Sequence, residues 1–143
     1  MLPRSGIHAL KALLELALDP PAWRSVRELA EAQALPAPML EQVLLQLRRA
    51  GLVEARRGRS GGYRLARPAA EVPLAAVLAA LSGGIRRPEP AGQDAGDRVT
   101  AALGRRLERA LERELERFTL EELLYDLHST RAALSEEGGL LLG

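Results

Sequence analysis

Three observations predict the fold class. Three amphipathic helical stretches follow one another, an arginine- and glycine-rich hairpin comes directly after the third, and a long leucine stripe at helical spacing lies further on. Together they predict a mainly α chain: a winged helix-turn-helix at residues 1–83, a loop at 84–97, and a long helix with a shorter C-terminal one at 98–143.

Each element has a local cause. Residues 5–18 place Ile7, Leu10, Leu14 and Ala17 on one helical face, and Asp19-Pro20-Pro21 ends the helix. Ser25 with Glu28 forms a capping box that opens the second helix, which Pro36 limits. In the third, at 37–50, Pro38 suits the first turn and Leu40, Val43, Leu44 and Leu47 form the inner row. Gly51 fits a left-handed C-terminal cap. The period then changes: "LVEARR" and "GYRLA" read as two short strands joined by "GRSG". Leu74, Val77, Leu78 and Leu81 form the inner face of a fourth helix, and Gly83-Gly84 stops it. Residues 86–97, "RRPEPAGQDAGD", are turn formers without periodicity and read as a loop. A longer helix runs from about Arg98 to Arg117 with Val99, Leu103, Leu107, Leu111, Leu115 and Phe118 as one stripe. Thr119 with Glu122 caps a short last helix, and the tail "SEEGGLLLG" is expected to fray.

Composition narrows the function. The 143 residues hold one core, and no apolar run reaches membrane-span length, so the expectation is a cytoplasmic protein without a membrane partner. There is no cysteine, which removes disulfides and Cys-ligated zinc or iron–sulfur centres. The net charge of +1 hides a split. From Arg48 to Arg67 the chain carries seven arginines against Glu54 alone, while glutamates dominate from Glu108 on. A local basic patch on a near-neutral chain suits a polyanion.

The "RRGRSGGYRL" stretch combines two needs. Glycines remove bulk and permit positive φ, and arginines neutralise phosphates or enter a narrow minor groove. A basic hairpin alone is commonly a solvated turn. Placed after a helix whose outer face is polar, it suits a wing beside a recognition helix. Double-stranded DNA is therefore the expected partner. Glu41 and Gln42, near the start of the third helix, are candidates for base edges. Arg49, Arg56, Arg59, Arg64 and Ser25 are candidates for phosphates.

The segments "MLEQVLLQLRRAGLVEARRGRSGGYRLA" and "VPLAAVLAAL" resemble the Rrf2 family of bacterial transcription regulators, and the likeness runs from about Ile7 to Gly83. The resemblance implies a homodimer on a partly palindromic operator. It places base reading on Glu41 and Gln42, minor-groove reading on Arg57, and wing shape on Gly58, Gly61 and Gly62. It makes the long helix the dimer element, with Val99, Leu103, Leu107, Leu111 and Leu115 at the interface. Two departures matter. Pro36 and Pro38 stand where relatives often carry small polar residues, and Met39 replaces the motif's tyrosine. Several relatives hold an iron–sulfur cluster on three cysteines in the loop after the fourth helix. Here that loop has none, so no cofactor and no metal site are expected. Of the two histidines, His8 reads as a surface or dimer-contact residue and His128 as solvated. An effector molecule or partner protein acting at loop 86–97 is a candidate regulator, against the plainer reading of a linker.

Two other classes fit less well. A protein-binding winged helix would interrupt the charge with aromatics and methionine, and only Tyr63 and Met39 read as available to do so. An enzyme would need a nucleophile–base pair or a metal cluster. Ser60 of "GRSGG" lies in a hairpin, not on the strand-to-helix turn of a nucleophile elbow.

Overall fold

The computed structural model describes residues 2–81 and 92–142, with side chains of the last helix as far as Gly138. Its order is α1 (Arg4–Leu18), α2 (Val26–Gln33), α3 (Ala37–Arg49), β1 (Val53–Arg56), β2 (Gly62–Leu65), a 3-10 turn (Ala69–Glu71), α4 (Leu74–Ala80), α5 (Ala95–Arg117) and α6 (Leu120–Leu142).

The helix starts follow the local chemistry. Ser25 Oγ accepts the Glu28 N–H at 3.1 Å, which satisfies an otherwise orphan donor of α2. Ala34 closes α2 in the left-handed region at φ 53°, a place that usually belongs to glycine. Leu35 and Pro36 complete the turn into α3. Leu40, Val43, Leu44 and Leu47 are all buried, as their spacing predicts. Gly51 takes φ 75° and directs the chain from α3 into β1.

The core joins Leu13 and Leu16 of α1, Leu29 of α2, Leu40, Leu44 and Leu47 of α3, Leu52, Val72 and Val77. Leu120, at the start of α6, is equally buried in it. Two backbone bonds hold that junction: Leu74 N–H to Phe118 O at 2.9 Å and Leu120 N–H to Val72 O at 2.8 Å.

Three expectations need correction. The buried arc of α1 is Ala9, Leu10, Ala12, Leu13, Leu16 and Ala17, whereas Ile7 is exposed and Leu14 only half-buried. The reason is that α1 is central, packed against α2, α3, α4 and α6, so its apolar arc is wider than one stripe. Next, α5 begins at Ala95, ahead of Arg98, because the Asp94 carboxylate accepts the Asp97 N–H at 2.7 Å and caps it. Finally, the last helix is not short: α6 continues to Leu142, through most of the tail expected to fray. α6 is as long as α5, at 23 residues each, and is helical through the Gly138-Gly139 pair. Gly138 has open space where a Cβ would lie, so the pair of glycines costs the helix propensity and nothing sterically at that position. The loop expected at 84–97 falls largely on residues 82–91, outside the described residues.

Candidate nucleic-acid interface

The hairpin is antiparallel, with Val53 opposite Leu65, Glu54 opposite Arg64, Ala55 opposite Tyr63 and Arg56 opposite Gly62. Strand alternation then sorts the side chains. Val53, Ala55, Tyr63 and Leu65 share the inner face and pack on the core or lie partly covered. Glu54, Arg56 and Arg64 share the outer face. Residues 57–61 form the tip, closed by Gly61 N–H to Gly58 O at 3.1 Å.

A third piece of extended chain completes the wing. Arg24 pairs with Tyr63 through N–H to O bonds of 2.8 and 2.7 Å. Arg24 therefore faces inward with Tyr63, where its guanidinium lies 3.8 Å from the buried carboxylate of Glu15. Glu15 also accepts from Gln33 Nε2 at 2.6 Å and from Arg131 of α6 at 3.5 Å. Trp23, the residue before Arg24, lies on the opposite, outer face with Arg56 and Arg64. The Arg56 and Arg64 guanidiniums lie 4.6 and 4.3 Å from the Trp23 ring centroid, within cation–π range.

The glycines of the wing divide by cause. Gly62 is at φ 137°, and a Cβ there would strike the Arg24 carbonyl, so the third strand segment can approach only a glycine. At Gly61 a Cβ would strike the Arg56 carbonyl across the turn. Gly58 has open space and needs only its φ of 108°.

The expected site residues fall into three groups. Glu41 and Gln42 are exposed near the start of α3. Pro36 supplies no side-chain cap there, which leaves first-turn amides of α3 open to an anion. Arg57 and Arg59 are exposed at the wing tip and make no hydrogen bond or ion pair among the described residues. Arg49 is exposed in the last turn of α3, where its charge also suits the helix dipole. Three other candidates are engaged within the chain. The Ser25 hydroxyl caps α2 and donates to Glu28 Oε1 at 3.2 Å. Arg56 donates to Ser60 O at 2.6 Å and Arg64 to Glu54 Oε2 at 3.0 Å, and both lie over Trp23.

Trp23 is the residue that sequence reading missed. It is the single tryptophan of the chain and stands two places before the capping serine. It adds an aromatic to the basic patch that Tyr63 and Met39 alone seemed to serve, but its ring is covered by the patch's own arginines.

The dimer candidates lie on α5, which buries no residue within the chain. Val99, Leu103 and Leu107 are 69, 54 and 61% exposed, Leu111 is exposed at 37%, and Leu115 is half-buried. His128 is exposed, whereas His8 is half-buried with a covered Nδ1 that has no hydrogen-bond partner among the described residues. Among the described residues no helix is long and apolar enough to cross a membrane.

Comparison with known proteins agrees on one class. The family model described as Rrf2, an iron-dependent transcriptional regulator, matches residues 2–126. A Synechocystis protein named as an HTH-type transcriptional regulator is 42% identical over 135 residues, covering 90% of each chain. The solved structure of T. potens IscR superposes with a TM-score of 0.73 at 29% identity, covering 89% of this chain and 88% of that one. CymR, the global cysteine regulator of B. subtilis, superposes with a TM-score of 0.70 at 27% identity, covering 87% of this chain and 96% of that one.

The family description names iron, and the residues present do not fit an iron–sulfur centre. The chain has no cysteine, and among the described residues no three His, Asp or Glu side chains gather to hold a metal ion.

Proposed function

The chain belongs to the Rrf2 family of DNA-binding helix-turn-helix transcriptional regulators, and from that premise we propose that it acts in the cytoplasm as a homodimer on a partly palindromic operator, without an iron–sulfur cluster. The observation that carries the dimer is α5: a 23-residue helix with no buried residue and an exposed apolar row does not stand alone in water. The row Val99, Leu103, Leu107, Leu111, Leu115 advances four residues at a time. Each step turns about 40° on a helix of 3.6 residues per turn, so the row is an inclined ridge and not a straight seam. Two such ridges interlock with the helices crossing at about 50°. In a two-fold pair the crossing falls at the middle of the row, Leu107.

Within each protomer Glu41 and Gln42 read base edges in the major groove, and Arg57 reaches the minor groove. Arg49 and Arg59 neutralise phosphates. Their exposure, and the freedom of Arg57 and Arg59 from partners among the described residues, support this assignment. The fluorescence anisotropy of labelled DNA from upstream of its own gene, against a random duplex of equal length at two salt concentrations, tests the reading. A preference of about 10³-fold or more is expected of a specific regulator. No binding to either duplex at low salt would overturn it in favour of a winged helix that docks on protein.

A further inference from the structure

Resting on the DNA-binding reading above, we propose that Trp23 is a positioning residue for the wing: it holds Arg56 and Arg64 against the outer face of the hairpin, so that these two arginines orient the tip and leave phosphate contact to Arg57 and Arg59.

The register makes this arrangement. Arg56 and Arg64 are diagonal neighbours on one face of a two-stranded ribbon. A lone ribbon of four-residue strands is marginal, and its outer face has no core to lean on. Trp23 reaches that face because Arg24 is locked to Tyr63 by two backbone bonds. Each arginine has a second anchor besides the ring: the Ser60 carbonyl at 2.6 Å for Arg56, and the Glu54 carboxylate at 3.0 Å for Arg64. The Ser60 carbonyl belongs to the tip itself, so Arg56 ties the tip to the tryptophan. A guanidinium held over the indole ring and bonded to a second acceptor keeps its donors on the wing and off the phosphates. Inward, Arg24 engages Glu15; outward, Trp23 engages the wing arginines. Adjacent residues thus fasten both faces of the hairpin.

The stack can be judged without DNA. Trp23 is the sole tryptophan, so acrylamide quenching of its emission reports the cover over its ring. The Arg56→Gln, Arg64→Gln double variant should raise quenching by a clear margin, and unchanged quenching would overturn the stack. On DNA, Arg56→Gln should keep the wild-type slope of log K against log salt, while Arg59→Gln, which removes one arginine from each protomer of the dimer, lowers it by about 1.8. A loss of about 1.8 for Arg56→Gln would make it a phosphate contact in both protomers and overturn the proposal. Trp23→Leu, which removes no charge, should weaken binding roughly tenfold or more, since each protomer of the dimer loses two exposed cation–π contacts. Trp23→Phe should retain most of the affinity, and wild-type affinity in Trp23→Leu would also overturn the role. Wild-type protein that binds no duplex at low salt sinks the DNA reading and the wing's role with it, whereas the quenching result stands apart from that.

Discussion

Replacing Leu107 by aspartate should separate the proposed dimer while leaving each protomer folded. Leu107 is 61% exposed in the single chain. Full burial of a leucine is worth about 1.5–3 kcal/mol, so covering the remaining three-fifths gives about 1–2 kcal/mol per copy, and twice that for a two-fold pair. Leu107→Asp removes this and sets two carboxylates against each other at the crossing of the ridges. Taking each out of water costs several kcal/mol more. The total exceeds about 5 kcal/mol, which raises the dimer dissociation constant by more than about 10³-fold. Sedimentation velocity across a dilution series reads that change. Because α5 buries nothing within its own chain, far-UV circular dichroism should show the helices largely kept. Val99→Asp and Leu115→Asp, at the ends of the row, should weaken the dimer less. A Leu107→Asp protein that sediments as wild-type dimer would refute the inclined-ridge argument and move the interface to another surface.

Four further substitutions probe the site and its turns. Gln42→Ala should lose about 1–3 kcal/mol of discrimination at one base pair, measured over a panel of single-substituted duplexes, and an equal loss on random DNA would remove its base-reading role. Gly62→Ala should destabilise by about 2 kcal/mol or more in urea unfolding, since the new Cβ meets the Arg24 carbonyl at φ 137°. Gly58→Ala, facing open space, should cost only about 1–2 kcal/mol of left-handed strain, and equal losses at both positions would deny the steric role of the third strand segment. Ala34→Gly should raise the urea midpoint at constant m by up to about 1 kcal/mol of stability, as it relieves an alanine at φ 53°; a lowered midpoint would show that chain entropy outweighs the strain.

What could be read in the sequence was what neighbours decide. The cap at Ser25, the buried row of α3 and the left-handed Gly51 each depend on a few adjacent residues, and each lies where its pattern put it. The inner face of α1 depends on four other elements, so a one-stripe reading placed Ile7 inside when it is out. The length of α6 was hidden by a glycine pair that reads as punctuation. At the interface the residue types were legible but their engagement was not. Arg56, Arg57, Arg59 and Arg64 look alike in a string. Only the pairing of Arg24 with Tyr63, across 39 positions, brings Trp23 over two of them and leaves the other two free of partners among the described residues.

Because Val72, Leu74, Phe118 and Leu120 exchange backbone hydrogen bonds and Leu120 is sunk in the core, the DNA-reading head cannot swivel at the α5–α6 junction as a tethered bead would. In the proposed dimer, two heads fixed in this way would present themselves to the duplex at one set separation. Once the first is seated, the second meets its half-site at a high effective concentration, and the geometry that raises it also restricts it. Inserting about five base pairs between half-sites turns one of them to the far side of the duplex, which repeats every 10–10.5 base pairs. A pair of heads without slack at the neck then holds on by one.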